Sequence, residues 1–288
     1  MILAPLRGVT VRAFREVFAE PIREAGFTEA ITPFIPANPG CDPLKDRELA
    51  GGVKGKMKSR EILVTPQLIG KDPEALRAAL ERLKEAGYET ADLNCGCPYP
   101  MVRSKGRGSG LLKTPGVLER MLAVGCETMG DGKFSVKARL GVERNDELLG
   151  LMPMINSFPL RFLTVHARTA RQMYSGRCDR EAFDRIAAVA EIPLVANGDF
   201  PLLSADAPSP AFPVMVGRAF ITALGDRRDV IGFLRRYLEA SSAELFGDAA
   251  VLGRLKELIA YWKFLPAWHR RWDVVKLCRT IGELSALF

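Results

Sequence analysis

The most reactive group this sequence offers is a thiol in a tight turn, Asn94-Cys95-Gly96-Cys97-Pro98. A cysteine there could attack as a nucleophile or deliver a proton as an acid. By default a free cysteine is an inert buried hydrophobe. Position favours function for Cys97, which follows a strand-like run at 90–94 and precedes a basic, glycine-rich loop, MVRSKGRGSG, at 101–110. Cys95 has no such advantage and reads as structural. Cys41, Cys126, Cys178, Cys278 and His269 take no role. The C-x-C spacing and the presence of only two histidines in the chain argue against zinc, and the scattered thiols suit a reducing compartment.

Other polar residues fall at the ends of strand-like runs: Arg7, Gln67, Asn94, Lys137, Arg139, His166, Arg168, Asn197, Asp199 and Gly217-Arg218. A lysine or arginine inside an apolar strand is costly unless it faces a partner, so their clustering at one end of the strands says more than any single member. Asn197-Gly198-Asp199 and Gly217-Arg218 combine close backbone approach with a guanidinium fork, the chemistry of a phosphate site. No G-x-G-x-x-G opens a helix after a strand, so a Rossmann-bound nicotinamide is not indicated.

The runs that must position these groups lie at 1–5, 29–34, 62–70, 90–94, 134–140, 162–166, 192–197 and 213–217. Most show little polar alternation, as parallel strands covered on both faces do. Between the third and fourth, Asp72 caps a helix, Pro73 suits its first turn, Leu76, Leu80 and Leu83 form its apolar stripe, and Gly87 closes it. Eight such units predict an α/β (β/α)8 TIM barrel over residues 1–226, with its site at the C-terminal strand ends and phosphate after strands seven and eight. The seventh unit carries Pro201, Pro208, Pro210 and Pro213, which leave room for a loop or one helical turn. Segments 227–246 and 249–287 read as helices, a small all-helical domain over 227–288.

The 288-residue chain carries a net charge of +7, of which an excess of four basic residues lies in 251–288. This points to an anionic partner, against the plainer reading of a solvated helix face. No run of about 18 apolar residues suggests a membrane span, and MILAPLRGVT lacks the pattern of a signal peptide, so the expectation is a cytoplasmic monomer.

These residues, in this order, resemble the tRNA-dihydrouridine synthases. The segments that carry the resemblance are LAPLRG (3–8), PQLIG (66–70), DLNCGCPYPMVRSKGRGSGLLKTP (92–115), VKARLG (136–141), VHARTARQMYSG (165–176), ANGDF (196–200), VMVGRAF (214–220) and RLKELIAYW (254–262). The CGCP form is most similar to the bacterial C-type branch. The resemblance implies FMN held by Pro5, Leu6, Arg7, Gln67, Lys137, His166, Asn197, Gly198, Asp199, Gly217 and Arg218. It also implies NADPH as reductant, hydride transfer to uracil C6 and a proton from Cys97 to C5. Asn94 and Arg139 would orient a uridine flipped out of tRNA, and residues 227–288 would grip the RNA, since flipping a base costs a few kcal/mol. The chain departs from the family's pattern at Leu6 (usually Met), at Pro33 and Pro36 (usually Glu and, in C-type members, Arg), in the short seventh helix and in the short carboxy-terminal domain.

Two rival readings share parts of this pattern. A small-molecule FMN barrel, like a dihydroorotate dehydrogenase or an ene-reductase, leaves the basic carboxy-terminal helices without a role. A non-catalytic RNA-binding descendant would be expected to have lost Cys97, Lys137 or His166, and all three are present.

Overall fold

A computed structural model describes residues 1–49, 62–199 and 212–288. Its strands are β1 (Ile2–Leu3), β2 (Glu29–Ile31), β3 (Ile35–Pro36), β4 (Leu63–Thr65), β5 (Gln67–Ile69), β6 (Ala91–Cys95), β7 (Phe134–Gly141), β8 (Leu163–Thr169), β9 (Leu194–Asn197) and β10 (Val214–Val216). All pairings are parallel, and β1 pairs with both β2 and β10, so the ring closes. Ten strands make eight staves because the second and third expected strands are each interrupted. Pro33 lies between β2 and β3, and Pro66 between β4 and β5. A proline has no N–H to give the ladder, so pairing lapses there and resumes beyond it.

The helices follow the strands: α1 (Arg12–Val17), α2 (Ala19–Glu24), α3 (Pro73–Glu85), α4 (Pro100–Arg103), α5 (Pro115–Met129), α6 (Glu147–Asn156), α7 (Arg180–Ala187) and α8 (Arg218–Leu224). In α3 the Asp72 carboxylate accepts from the Glu74 and Ala75 N–H groups, Leu76, Leu80 and Leu83 are buried, and Gly87 adopts φ +87° past the end. The expected loop between β9 and β10 lies largely outside the described residues.

The strands do alternate, contrary to the sequence reading, but with the polar set facing inward. In β7, Phe134, Val136, Ala138 and Leu140 meet the helices, while Ser135, Lys137 and Arg139 share register with the polar rows of β6 and β8. The barrel interior is two-sided. Ile2, Ala4, Ile31, Phe162, Val195 and Met215 form a separate apolar cluster on one side. On the other, Thr65, Gln67, Asp92, Ser135 and Thr164 are fully buried. At the amino-terminal end Arg161 clamps Glu29 with bonds of 2.7 and 2.9 Å, and Thr65 Oγ1 donates to the same carboxylate at 2.5 Å.

The segments expected to be helical beyond residue 226 form α9 (Val230–Glu244), α10 (Asp248–Ile259), α11 (His269–Val275) and α12 (Ile281–Ser285). Phe233 of α9 stacks on Phe18 at 5.2 Å, and Phe18 on Phe14 at 4.5 Å, which fastens α9 to the first helices. Trp262 donates its indole N–H to the Ile221 carbonyl at 2.6 Å, and Trp268 to that of Gly225 at 2.8 Å. A Cβ on Gly225 would lie 2.6 Å from the Trp262 ring, so glycine is required for this contact. Trp262→Ala should lower stability by about 3–5 kcal/mol, whereas Trp262→Phe should lose roughly 1–2 kcal/mol with the hydrogen bond; urea unfolding measures both.

Candidate active site

One cavity of 880 Å³ opens at the carboxy-terminal end of the strands, where the barrel rule places a site. Neighbouring strands build its floor in register. Asn94, Lys137 and Thr164 form one inward row, and Arg139, His166 and Asn197 the next. The loop after β1 adds Pro5, Leu6 and Arg7, and the last two loops add Gly198, Asp199, Gly217 and Arg218. Cys97 lines the same wall. Of the expected site residues only Gln67 stays off the cavity, fully buried beneath Asn94.

The turn that presents Cys97 is held by Asn94, whose Oδ1 accepts the backbone N–H groups of Gly96 (3.1 Å) and Cys97 (2.8 Å). Ser109 then closes the following loop, donating through Oγ to the Cys97 carbonyl at 2.9 Å. Gly108, at φ +57°, sits so close that a Cβ there would fall 2.8 Å from that of Cys97. Burial raises the Cys97 pKa, against the smaller pull of a backbone hydrogen bond at Tyr99 and the charges of Arg7 and Arg139. The thiol therefore keeps its proton at neutral pH, which suits an acid better than a nucleophile.

Burial also governs the two groups expected against a cofactor ring. It lowers the Lys137 pKa to about 7, helped by Arg139 and opposed by Asp92. Lys137 Nζ donates to Asn197 Oδ1 at 2.9 Å. His166 is pushed well below its ordinary value by burial and by Lys137, Arg139, Arg168 and Arg218. Arg168 can only donate, so at 3.2 Å the His166 Nε2 accepts, and the neutral ring carries its proton on Nδ1.

Arg139 lines the cavity with much of its guanidinium held by the wall. Its Nε donates to the Gly96 carbonyl, and its NH1 to the carbonyls of Thr169 and Met173. Asp199 shares its carboxylate between Arg168 and Arg218, so it orients cations rather than meeting an anion. Gly198, at φ +131°, presses on Cys178, whose sulfur a Cβ would reach at 2.3 Å.

Several lining residues carried no assigned role in the sequence. Arg168 ties together Ser175, Gly176, Cys178 and Asp199, and the H-x-R alternation of β8 was the signal for it. Tyr174 lies 5.2 Å from both the Arg139 and Arg218 guanidinium carbons. Tyr99, Tyr261, Lys263 and Phe264 form the outer rim, and Phe264 is 84% exposed. Pro33 lines the wall beside Phe34, over which Arg7 sits at 5.2 Å. The lining holds six basic side chains (Arg7, Lys137, Arg139, Arg168, Arg218 and Lys263) and one carboxylate, a donor set suited to an anionic ligand.

Fold and cavity together define a (β/α)8 barrel with a basic mouth around one protonated thiol. A family model described as dihydrouridine synthase (Dus) matches residues 2–221, and the chain belongs to that family. It is similar to the tRNA-dihydrouridine synthase B of Vibrio vulnificus, 29% identical over 203 residues, which are 69% of this chain and 59% of that protein. A probable tRNA-dihydrouridine synthase of Staphylococcus aureus is 30% identical over 207 residues, 69% of this chain and 60% of that one. The chain thus spans about three-fifths of the length of these relatives. The Vibrio relative carries the B designation, where the CGCP form had pointed to the C-type branch. The fold is similar to that of morphinone reductase in complex with tetrahydroNAD (TM-score 0.53, 12% identity, 77% of this chain and 83% of that chain). A variant of NCR from Zymomonas mobilis is similar too (TM-score 0.52, 15% identity, 77% and 82%). Among the described residues no helix is long and apolar enough to cross a membrane.

The Lys137 pKa has a consequence for stability. The unfolded chain holds that proton up to about pH 10 while the folded one releases it near 7, so this group makes stability rise with pH across that window. Lys137→Met should remove the rise and stabilise the ligand-free protein at pH 6 by about 2 kcal/mol, as read by urea unfolding at several pH values.

Proposed function

We propose that this chain reduces uridine in tRNA to dihydrouridine, using FMN and NADPH, with Cys97 as the general acid. The observation that carries the reading is the protonated Cys97 thiol on the same wall as Lys137, His166, Asn197 and Arg218, in a chain of the dihydrouridine synthase family.

The donor set fits FMN. Gly198, Gly217 and Arg218 would take the phosphate, and Lys137, His166 and Asn197 would face the ring with one ammonium, one neutral imidazole and one amide. Pro5, Leu6 and Arg7 would cover it from the first loop. Gln67 would act from below, through Asn94, and Asp199 by holding Arg218. Bound there, FMN would supply the hydride for uracil C6, with NADPH as its reductant.

Cys97 delivers the proton to C5 from a thiol that burial keeps protonated. Asn94 orients the ring by hydrogen bonding, and Arg139 braces the wall through its three carbonyl partners. The helices of 227–288 place Tyr261, Lys263 and Phe264 on the rim, close enough for their basic and aromatic surface to hold RNA whose uridine has left the stack.

Purified protein should be yellow and release FMN on denaturation; colourless protein that cannot be reconstituted with FMN would defeat the proposal. Cys97→Ala should keep FMN and its reduction by NADPH while dihydrouridine formation, followed by mass spectrometry of the RNA, falls about 100-fold or more. Loss of FMN in that variant would make Cys97 structural instead. Affinity for tRNA should fall steeply with salt, and weak binding that ignores salt would count against an RNA substrate.

A further inference from the structure

A column of buried polar groups runs up the barrel and ends at Asn94. Ser135 Oγ donates to Asp92 Oδ1 at 2.6 Å, and Gln67 Nε2 donates to Asp92 Oδ2 at 2.7 Å. Gln67 therefore turns Oε1 the other way, where it accepts from Asn94 Nδ2 at 2.8 Å. Asn94 Oδ1 accepts both turn N–H groups, those of Gly96 and Cys97. Gln67, Asp92 and Ser135 are all 0% exposed, so bulk water does not compete for these bonds.

The two ends of this column force one orientation. A carboxylate only accepts and a backbone N–H only donates, so neither amide can flip alone. An amide oxygen has two acceptor sites and an amide nitrogen two hydrogens. Both sites of Asn94 Oδ1 are filled and one hydrogen of Nδ2 is taken. A ligand in the cavity therefore meets Asn94 as a single N–H donor.

We propose that Asp92 is a positioning residue that sets the amide polarity of Asn94, so that this point of the cavity selects a carbonyl oxygen of the substrate base over an amino group. This rests on the uridine reading above, which puts a uracil ring against Asn94. A base with an exocyclic amine in place of that carbonyl sets donor against donor, and a buried unmatched donor discriminates strongly.

The alternation of donor and acceptor can be broken and restored. Asp92→Asn keeps an acceptor on Gln67 Nε2 only by turning its nitrogen to Ser135, whose hydroxyl must then donate to the Ala91 carbonyl across a long 3.4 Å contact, and the column loses the charge that fixes its direction. Gln67→Glu sets two carboxylates face to face. In the double variant Asp92→Asn/Gln67→Glu the new amide donates to the new carboxylate, which again accepts from Asn94, at unchanged net charge.

Each single variant should lower Tm by about 5 °C and kcat/KM on uridine-containing tRNA by about 10- to 100-fold, and the double variant should recover most of both. The preference for RNA carrying uridine over RNA carrying cytidine at the target position, about 10-fold or more in binding by the wild type, should shrink in Asp92→Asn and return in the double variant. A double variant no better than the singles overturns the proposal. Recovery of Tm without recovery of kcat/KM and of the uridine preference overturns it as well, since a merely structural column would give that result. Wild-type protein that reduces no uridine defeats the functional reading instead, and the Tm cycle, read without RNA, tells the two failures apart.

Discussion

A lysine halfway up a closed barrel has to be solvated by the protein around it. Lys137 faces inward from β7 among Asn94, Thr164 and Asn197, and burial brings its pKa to about 7. Everything near it is arranged around that desolvated charge. Ile2, Ala4, Ile31, Val195 and Met215 gather on one side of the interior and Gln67, Asp92, Ser135 and Thr164 on the other, so Lys137 stands on the polar side with Asp92 below and the cavity above. Strand register does the placing. Because partners on adjacent strands face the same way, one lysine in β7 puts Asn94 and Thr164 beside it, and one arginine two residues on puts His166 and then Asn197 beside that.

The same desolvation sets the proton inventory of the site. His166 is neutral, Cys97 is protonated and Lys137 is balanced near neutrality, beside the guanidinium groups of Arg7, Arg168 and Arg218. Positive potential therefore comes from guanidinium groups, and transferable protons sit on a thiol and an ammonium. Such a division lets a cavity attract an anion without turning its acid into a thiolate, provided burial of the thiol outweighs the nearby arginines, as it does for Cys97.

Much of this was legible in the sequence because eight short strands each leave an apolar trace, and because strand-end residues such as Lys137, His166 and Arg218 are expensive anywhere else. All eight staves were located, and every assigned site residue but Gln67 lines the cavity. Where structure and sequence reading differ, the causes are physical. Inward polar residues such as Ser135 and Thr164 are small, and did not stand out as one face of an alternation. Gln67 sits on the right face but one layer too low, and vertical position depends on barrel stagger, which no local pattern encodes. Arg139, given a role only by the resemblance, is tied to the carbonyls of Gly96, Thr169 and Met173 at the ends of the strands on either side of its own, contacts that no local pattern encodes. Tyr174 and Phe264 reach the cavity only through the packing of loops and of the carboxy-terminal helices.

The two indole hydrogen bonds that pin the carboxy-terminal helices to α8 have a mechanical meaning. Trp262 and Trp268 are buried against each other, with ring centroids 4.6 Å apart, and they are tied to backbone carbonyls in the middle of α8 and just past its end. The rim residues Tyr261, Lys263 and Phe264 extend directly from this anchor, so the rim is carried on the barrel itself. The reach from rim to thiol is then set by that anchor, and the protein works as a gauge. A molecule that fits must do the bending itself, so its own flexibility becomes part of how it is chosen.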